Sequence, residues 1–138
     1  MHARLADALS GSYLQWLSLD KHRARLRAAW AEWFDDYDAL LCPVLPVPAF
    51  PHDHEGDFLS RTLTINGKQE PYMTVTNWTG LIGVVGLPSA VPPVGRTPAG
   101  LPVGVQVVAP FLRDREAMKL AGIVAEVAGG GYTPPPGF

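Results

Sequence analysis

From Tyr13 to Tyr37 apolar side chains recur at helical spacing. Leu19, Leu26, Trp30, Trp33 and Tyr37 fall within about 40° of one direction when each residue turns the chain by about 100°. Lys21, Arg25 and Glu32 occupy the opposite side. The pattern predicts a long amphipathic helix, and a short helix over residues 2–9 precedes it. Ser10-Gly11-Ser12 supplies the break and Ser12 the N-cap. Arg23 lies within the angular range of the apolar stripe, where its charged head can snorkel to water or form an internal ion pair with a segment missing from this chain.

Beyond the helix the pattern shortens. Asp38-Ala-Leu-Leu-Cys-Pro43 reads as an apolar strand ended by proline, and Pro46, Pro48 and Pro51 keep the following loop extended. Thr62 to Ile65 and Lys68 to Glu70 flank Asn66-Gly67, a pair suited to the two positive-φ positions of a tight hairpin turn. Residues 72–80 fit one or two helical turns, although Thr74, Val75 and Thr76 are β-branched. Leu87 to Val94 and Val103 to Ala109 are valine-rich runs that suit buried strands. A last helix runs from a cap at Asp114 to Val127, with Met118, Leu120, Ala121, Val124, Ala125 and Val127 on its inner side, and Gly129-Gly130-Gly131 stops it. The chain is thus one partial domain over residues 1–138: 1–37 helical, 38–50 strand and Pro-rich loop, 61–71 hairpin, 87–127 strands plus helix, and 128–138 a Gly/Pro tail. This order fits an α/β layering, but three core strands make a small open sheet with unpaired edges.

Composition sharpens the boundary at the first strand. All 14 prolines lie at or after Pro43, while the first 42 residues hold a single glycine, Gly11. A net charge of -2 gives no broad basic field, which argues against nucleic acid and anionic membrane surfaces as partners. A lone cysteine, Cys42, leaves no internal disulfide to form, and no run reaches the roughly 20 apolar residues of a membrane span. The expected compartment is the cytoplasm.

Candidate chemistry is sparse. Ser10, Ser12, Ser18, Ser60 and Ser89 lie in no Gly-Ser-rich loop or nucleophile elbow, and Lys21, Lys68 and Lys119 fall on helix faces or the hairpin. Cys42 with His52 or His54 could form a nucleophile and base, but a thiol in an apolar strand is commonly inert. His52-Asp53-His54-Glu55 with Asp57 has metal-ligand chemistry, and metal-dependent hydrolysis follows if it converges; alternate residues of an irregular loop do not converge as helical i, i+4 histidines do. Gly80, Gly83 and Gly86 lack the strand-turn-helix context and the lysine of a phosphate loop, which leaves close backbone packing as their reading.

Four segments in order carry a resemblance: Asp38-Ala-Leu-Leu-Cys-Pro43, Asn77-Trp-Thr-Gly80, Leu87-Pro-Ser-Ala-Val-Pro-Pro-Val-Gly95 and Gly100-Leu-Pro-Val-Gly-Val-Gln106. Together they resemble the closing portion of amidase-signature enzymes, from about Tyr13 to about Val127. The resemblance implies a fragment of a mixed β-sheet layered with helices, with a long N-terminal helix and a C-terminal helix. It implies an activity on amide carbon–nitrogen bonds, relayed through two serines and a lysine, and no cofactor. Those three residues belong to the first half of that fold, and this sequence has no counterpart of them, so no catalytic residue is assigned here.

What the resemblance leaves to this chain is a sheet segment and part of a pocket wall. Tyr72, Met73 and Trp78 are the substrate-pocket candidates, while Gln106 and Asn77 are expected to satisfy buried backbone groups. The expected partner is a catalytic N-terminal amidase segment, with a small amide as substrate only in the complete enzyme. The alternative is a non-catalytic binding or assembly module that pairs with a separately encoded amidase half.

Overall fold

The computed structural model describes residues 6, 9–129 and 133–134. The expected helix over residues 2–9 and the proline tail lie largely outside them. Helix α1 spans Tyr13–Asp36, and Ser12 caps it: its hydroxyl accepts from the Gln15 backbone N–H at 3.3 Å while the Gln15 side chain accepts from the Ser12 N–H at 2.7 Å. This reciprocal box satisfies two of the N–H groups that a helix start leaves without partners. Tyr37 then turns to extended backbone and ends the helix.

Strand β1 (Leu40–Pro43) follows, then the hairpin of β2 (Thr62–Ile65) and β3 (Lys68–Pro71). At its tip Asn66 and Gly67 take φ values of 52° and 77°, the two left-handed positions anticipated from the dipeptide. A 3-10 turn, Tyr72–Thr76, runs directly into α2 (Asn77–Gly83), so the β-branched residues tighten the first turn without abolishing the helix. Three further strands, β4 (Ser89–Ala90), β5 (Pro93–Arg96) and β6 (Pro102–Val108), precede α3 (Asp114–Val127).

Strand β6 is the centre of the main sheet. It pairs antiparallel with β1 on one side, Leu40 opposite Val108 and Cys42 opposite Gln106, and with β4 and β5 on the other. The expected single strand over Leu87–Val94 is therefore two short ones. Pro92 and Pro93 interrupt the ladder, since neither can donate a backbone hydrogen bond, and the register shifts between Pro93 and Gly95.

Cys42, Ile82, Val85, Leu87 and Val108 form one buried cluster, with Trp30, Phe34 and Leu40 packed against it. Side chains alternate along a strand, so Val107 points to the other face, where α3 packs on the sheet through buried Ala117 and Ala121. Val107, Val108 and Ala109 are 0% exposed, and β6 is accordingly the most deeply buried segment among the described residues.

Several expectations need correction. No residue of α1 is buried, and Leu19, at 70% exposed, faces solvent, as do Leu26 and Tyr37. Helix α1 meets the body through Trp30, Phe34 and Arg27, on average about 60° around the helix from the middle of the predicted stripe. Arg23 is an exposed residue paired with Asp20, its Nε donating at 2.9 Å. Arg113, not Asp114, occupies the position before α3, and no side chain caps that helix; Asp114 and Glu116 instead place negative charge in its first turn. Met118 and Val127 are exposed, because the face of α3 toward the sheet is the Ala117–Ala121 line. Of the three glycines read as close-packed, Gly80 and Gly83 have open space around them, and only Gly86, at φ 71°, is hemmed in, by Arg27 and Phe111. The tight approach occurs at Gly104, where a Cβ would lie 2.7 Å from Val91 Cγ1 and 3.1 Å from the Pro92 carbonyl oxygen.

Candidate functional site

The loop that leaves β1 is held open by its prolines and folds beside β6 to make an apolar groove of about 560 Å³. Leu41, Val44, Leu45, Val94, Val103 and Val105 are among the residues that line it. Cys42 reaches this wall from the buried cluster, and Gln106 Nε2 lies 3.5 Å from its sulfur. Burial pushes the Cys42 thiol above its ordinary range, against the weaker opposing effect of the Gln106 contact. A thiol so placed stays protonated at neutral pH, which removes the thiolate that nucleophilic attack needs. Gln106 thus meets a side-chain thiol rather than the backbone group expected of it, and Asn77, at the start of α2, is exposed.

Further along the same loop, Phe50, His52, Asp53, His54, Arg61 and Tyr72 surround a smaller cavity of about 370 Å³. The Tyr72 ring stands edge-on to Phe50 and Phe58, at centroid distances of 6.0 and 5.3 Å. His52 and His54 meet edge to face at 5.7 Å, and Arg61 Nε donates to the Glu55 carbonyl oxygen at 3.1 Å. Asp53 Oδ1 accepts from the Glu55 backbone N–H at 2.9 Å, so its carboxylate serves the loop itself. Among the described residues no three His, Cys, Asp or Glu side chains converge on a point that could hold a metal ion.

Of the three pocket candidates, only Tyr72 lines this cavity. Met73, half-buried, sits in the 3-10 turn and Trp78, at 37% exposed, in the first turn of α2; neither lines either of these two spaces. The candidates are therefore neighbours in sequence that the turn fans into different directions. Three of the serines serve local structure: Ser10 and Ser60 hydroxyls donate to backbone carbonyls within their own turns, and the Ser12 hydroxyl caps α1.

A third space, about 730 Å³, lies between α1 and the segment entering α3. Arg27 closes its floor. Its Nε donates to the Val85 carbonyl oxygen at 3.0 Å, and its guanidinium lies 4.3 Å from the centre of the Phe111 ring. Sequence reasoning missed this residue. It stands about 90° from the predicted stripe, and its partners are 58 and more positions away, so no local signal marks it.

The chain matches the family model named Amidase over residues 1–118. It is 32% identical over 103 residues to a glutamyl-tRNA(Gln) amidotransferase subunit of Haloarcula marismortui, covering 75% of this chain and 22% of that protein. It is 31% identical over 116 residues to an indoleacetamide hydrolase of Bradyrhizobium diazoefficiens, covering 83% of this chain and 20% of that one. Among solved structures, a crystal structure of an amidase superposes with a TM-score of 0.74 at 25% identity, over 91% of this chain and 27% of the other. The chain thus spans about a fifth to a quarter of the length of these proteins. All four resembling segments lie inside the matched region, and the α/β layering is that of solved amidases; the chain belongs to the amidase family.

Proposed function

We propose that this chain supplies sheet strands and part of the substrate-pocket wall of an amidase-type hydrolase that acts on the carbon–nitrogen bond of an amide. It forms one partial domain, located in the cytoplasm, and the Ser/Ser/Lys machinery comes from sequence outside these residues. The observation that carries this reading is an Amidase match over residues 1–118 in a sequence with no Gly-Ser-rich segment and no serine beside a lysine. Without nucleophile and base there is no covalent route, so the lone chain has no turnover. The apolar groove beside β1 and β6 supports a wall role, since ligand pockets are mostly apolar with few polar groups. Tyr72, which lines the smaller cavity along the same loop, and its neighbours Met73 and Trp78, which line neither space in this chain, are the residues we propose to meet substrate in the complete enzyme.

The test is an assay of the purified chain for ammonia release from indoleacetamide and arylamine release from an aryl acylamide, alone and with a catalytic amidase segment. Background rates alone and turnover in the mixture are expected; turnover by the pure chain overturns the reading. A second reading, a non-catalytic assembly module, draws on the relatives that are named as subunits. It predicts stable association with an amidase half but no gain in its rate.

A further inference from the structure

Helix α1 contains 24 residues and buries none of them. Its seat on the body occupies only the C-terminal half, at Arg27, Trp30 and Phe34. The N-terminal half carries Tyr13, Leu14, Trp16 and Leu19 at 54% exposure or more, and Leu26, just past the midpoint, is 47% exposed. These side chains do not share one stripe. At about 100° per residue they spread over about two thirds of the helix circumference, the pattern of a helix enclosed on several sides. The rings of Tyr13 and Trp16 stack at 5.8 Å, and both remain more than half exposed.

The family match, over residues 1–118, includes the whole of α1. The crystal structure of an amidase superposes over 91% of this chain, and the superposed part makes up only 27% of that protein, so most of the larger body lies outside the matched region. We infer that the N-terminal half of α1 is an interaction element that inserts into an apolar cleft of the catalytic amidase segment. This rests on the reading above that such a segment completes the enzyme. Helix α1 then acts as the clasp: its C-terminal half is fixed to the sheet by Arg27, Trp30 and Phe34, and its N-terminal half is covered by the partner.

The experiment co-expresses the full 138-residue chain with the portion of the Bradyrhizobium diazoefficiens indoleacetamide hydrolase that it does not match, and measures the Kd of the pair. Leu14→Glu and Leu19→Glu each weaken association by about tenfold or more, as expected for burying a leucine. Arg25→Gln, on the polar side, leaves it unchanged. All three variants of the free chain unfold at the temperature of the unsubstituted one, because these side chains are already in solvent. If the unsubstituted chain does not associate, the reading of the previous subsection falls. If it associates and the leucine variants bind equally well, the assignment to α1 falls alone. If the free chain is a dimer that the same substitutions dissociate, the face belongs to a second copy and the assignment to a catalytic segment is overturned.

Discussion

Strand β6 and helix α1 answer opposite questions about how the chain is held together. Around β6 every requirement of a core is met from within: ladders on both sides, Val108 in an apolar cluster on one face and α3 on the other. Helix α1 is well made locally, with a reciprocal cap and a run of aromatic contacts from Trp30 to Tyr37, yet it has no buried residue. Local signals suffice to make a helix, and only tertiary burial gives it a place. The difference separates what this chain buries by itself from what it leaves in solvent.

Substitutions in the strand should do the most damage. Val108→Ala removes two methyl groups from the cluster and should cost about 2–3 kcal/mol in urea unfolding, with loss of cooperativity in the sheet. Gly104→Ala drives a Cβ against Val91 and the Pro92 carbonyl, where backbone must yield; about 1–3 kcal/mol is expected by the same measurement. Arg27→Ala loses the bond to Val85 and the contact with Phe111, about 1–2 kcal/mol, and amide exchange should rise in α1 while β6 stays protected.

The Cys42 thiol offers a pH probe of the strand side alone. Its pKa in the fold is raised above the ordinary 9.0, so the unfolded chain releases the proton first. Stability is then unaffected below about pH 9 and falls as pH climbs past that value, a decline that Cys42→Ala should remove from pH-dependent melting curves. The smallest effect belongs to the helix: Leu19→Ala in the free chain should change stability by no more than about 0.5 kcal/mol.

What the sequence revealed follows the same division. The Asn66-Gly67 hairpin and the Ser12 cap were legible because each is decided by a few adjacent residues. The antiparallel seat of β6 was half legible: its valines announce a buried strand, but its partners do not. The break at Pro92 and Pro93 has its chemistry in plain view, since proline forbids the ladder that the flanking valines invite; which of the two tendencies wins is decided by the pairing with β6. The orientation of α1 was not legible, because an apolar stripe says that something covers it and not what. Arg27 and Gly104 were invisible for a related reason, being set by residues that arrive from elsewhere in the chain. As for the candidate site, the lack of a Gly-Ser-rich segment could be read from the residues, whereas the separation of Tyr72 from Met73 and Trp78 depends on the turn geometry.

The pairing of β1 with β6 also sets a clock. Cys42 and Gln106 face each other across 64 positions of sequence, so β1 leaves the ribosome well before the strand it must pair with. At about 5–20 residues per second that interval is several seconds, during which Leu40, Leu41 and Cys42 have an apolar edge and no neighbour. Biosynthesis, rather than the finished fold, is where this sheet is most exposed to misassembly, and a chaperone that occupies residues 38–50 until β6 emerges would act at the step that matters.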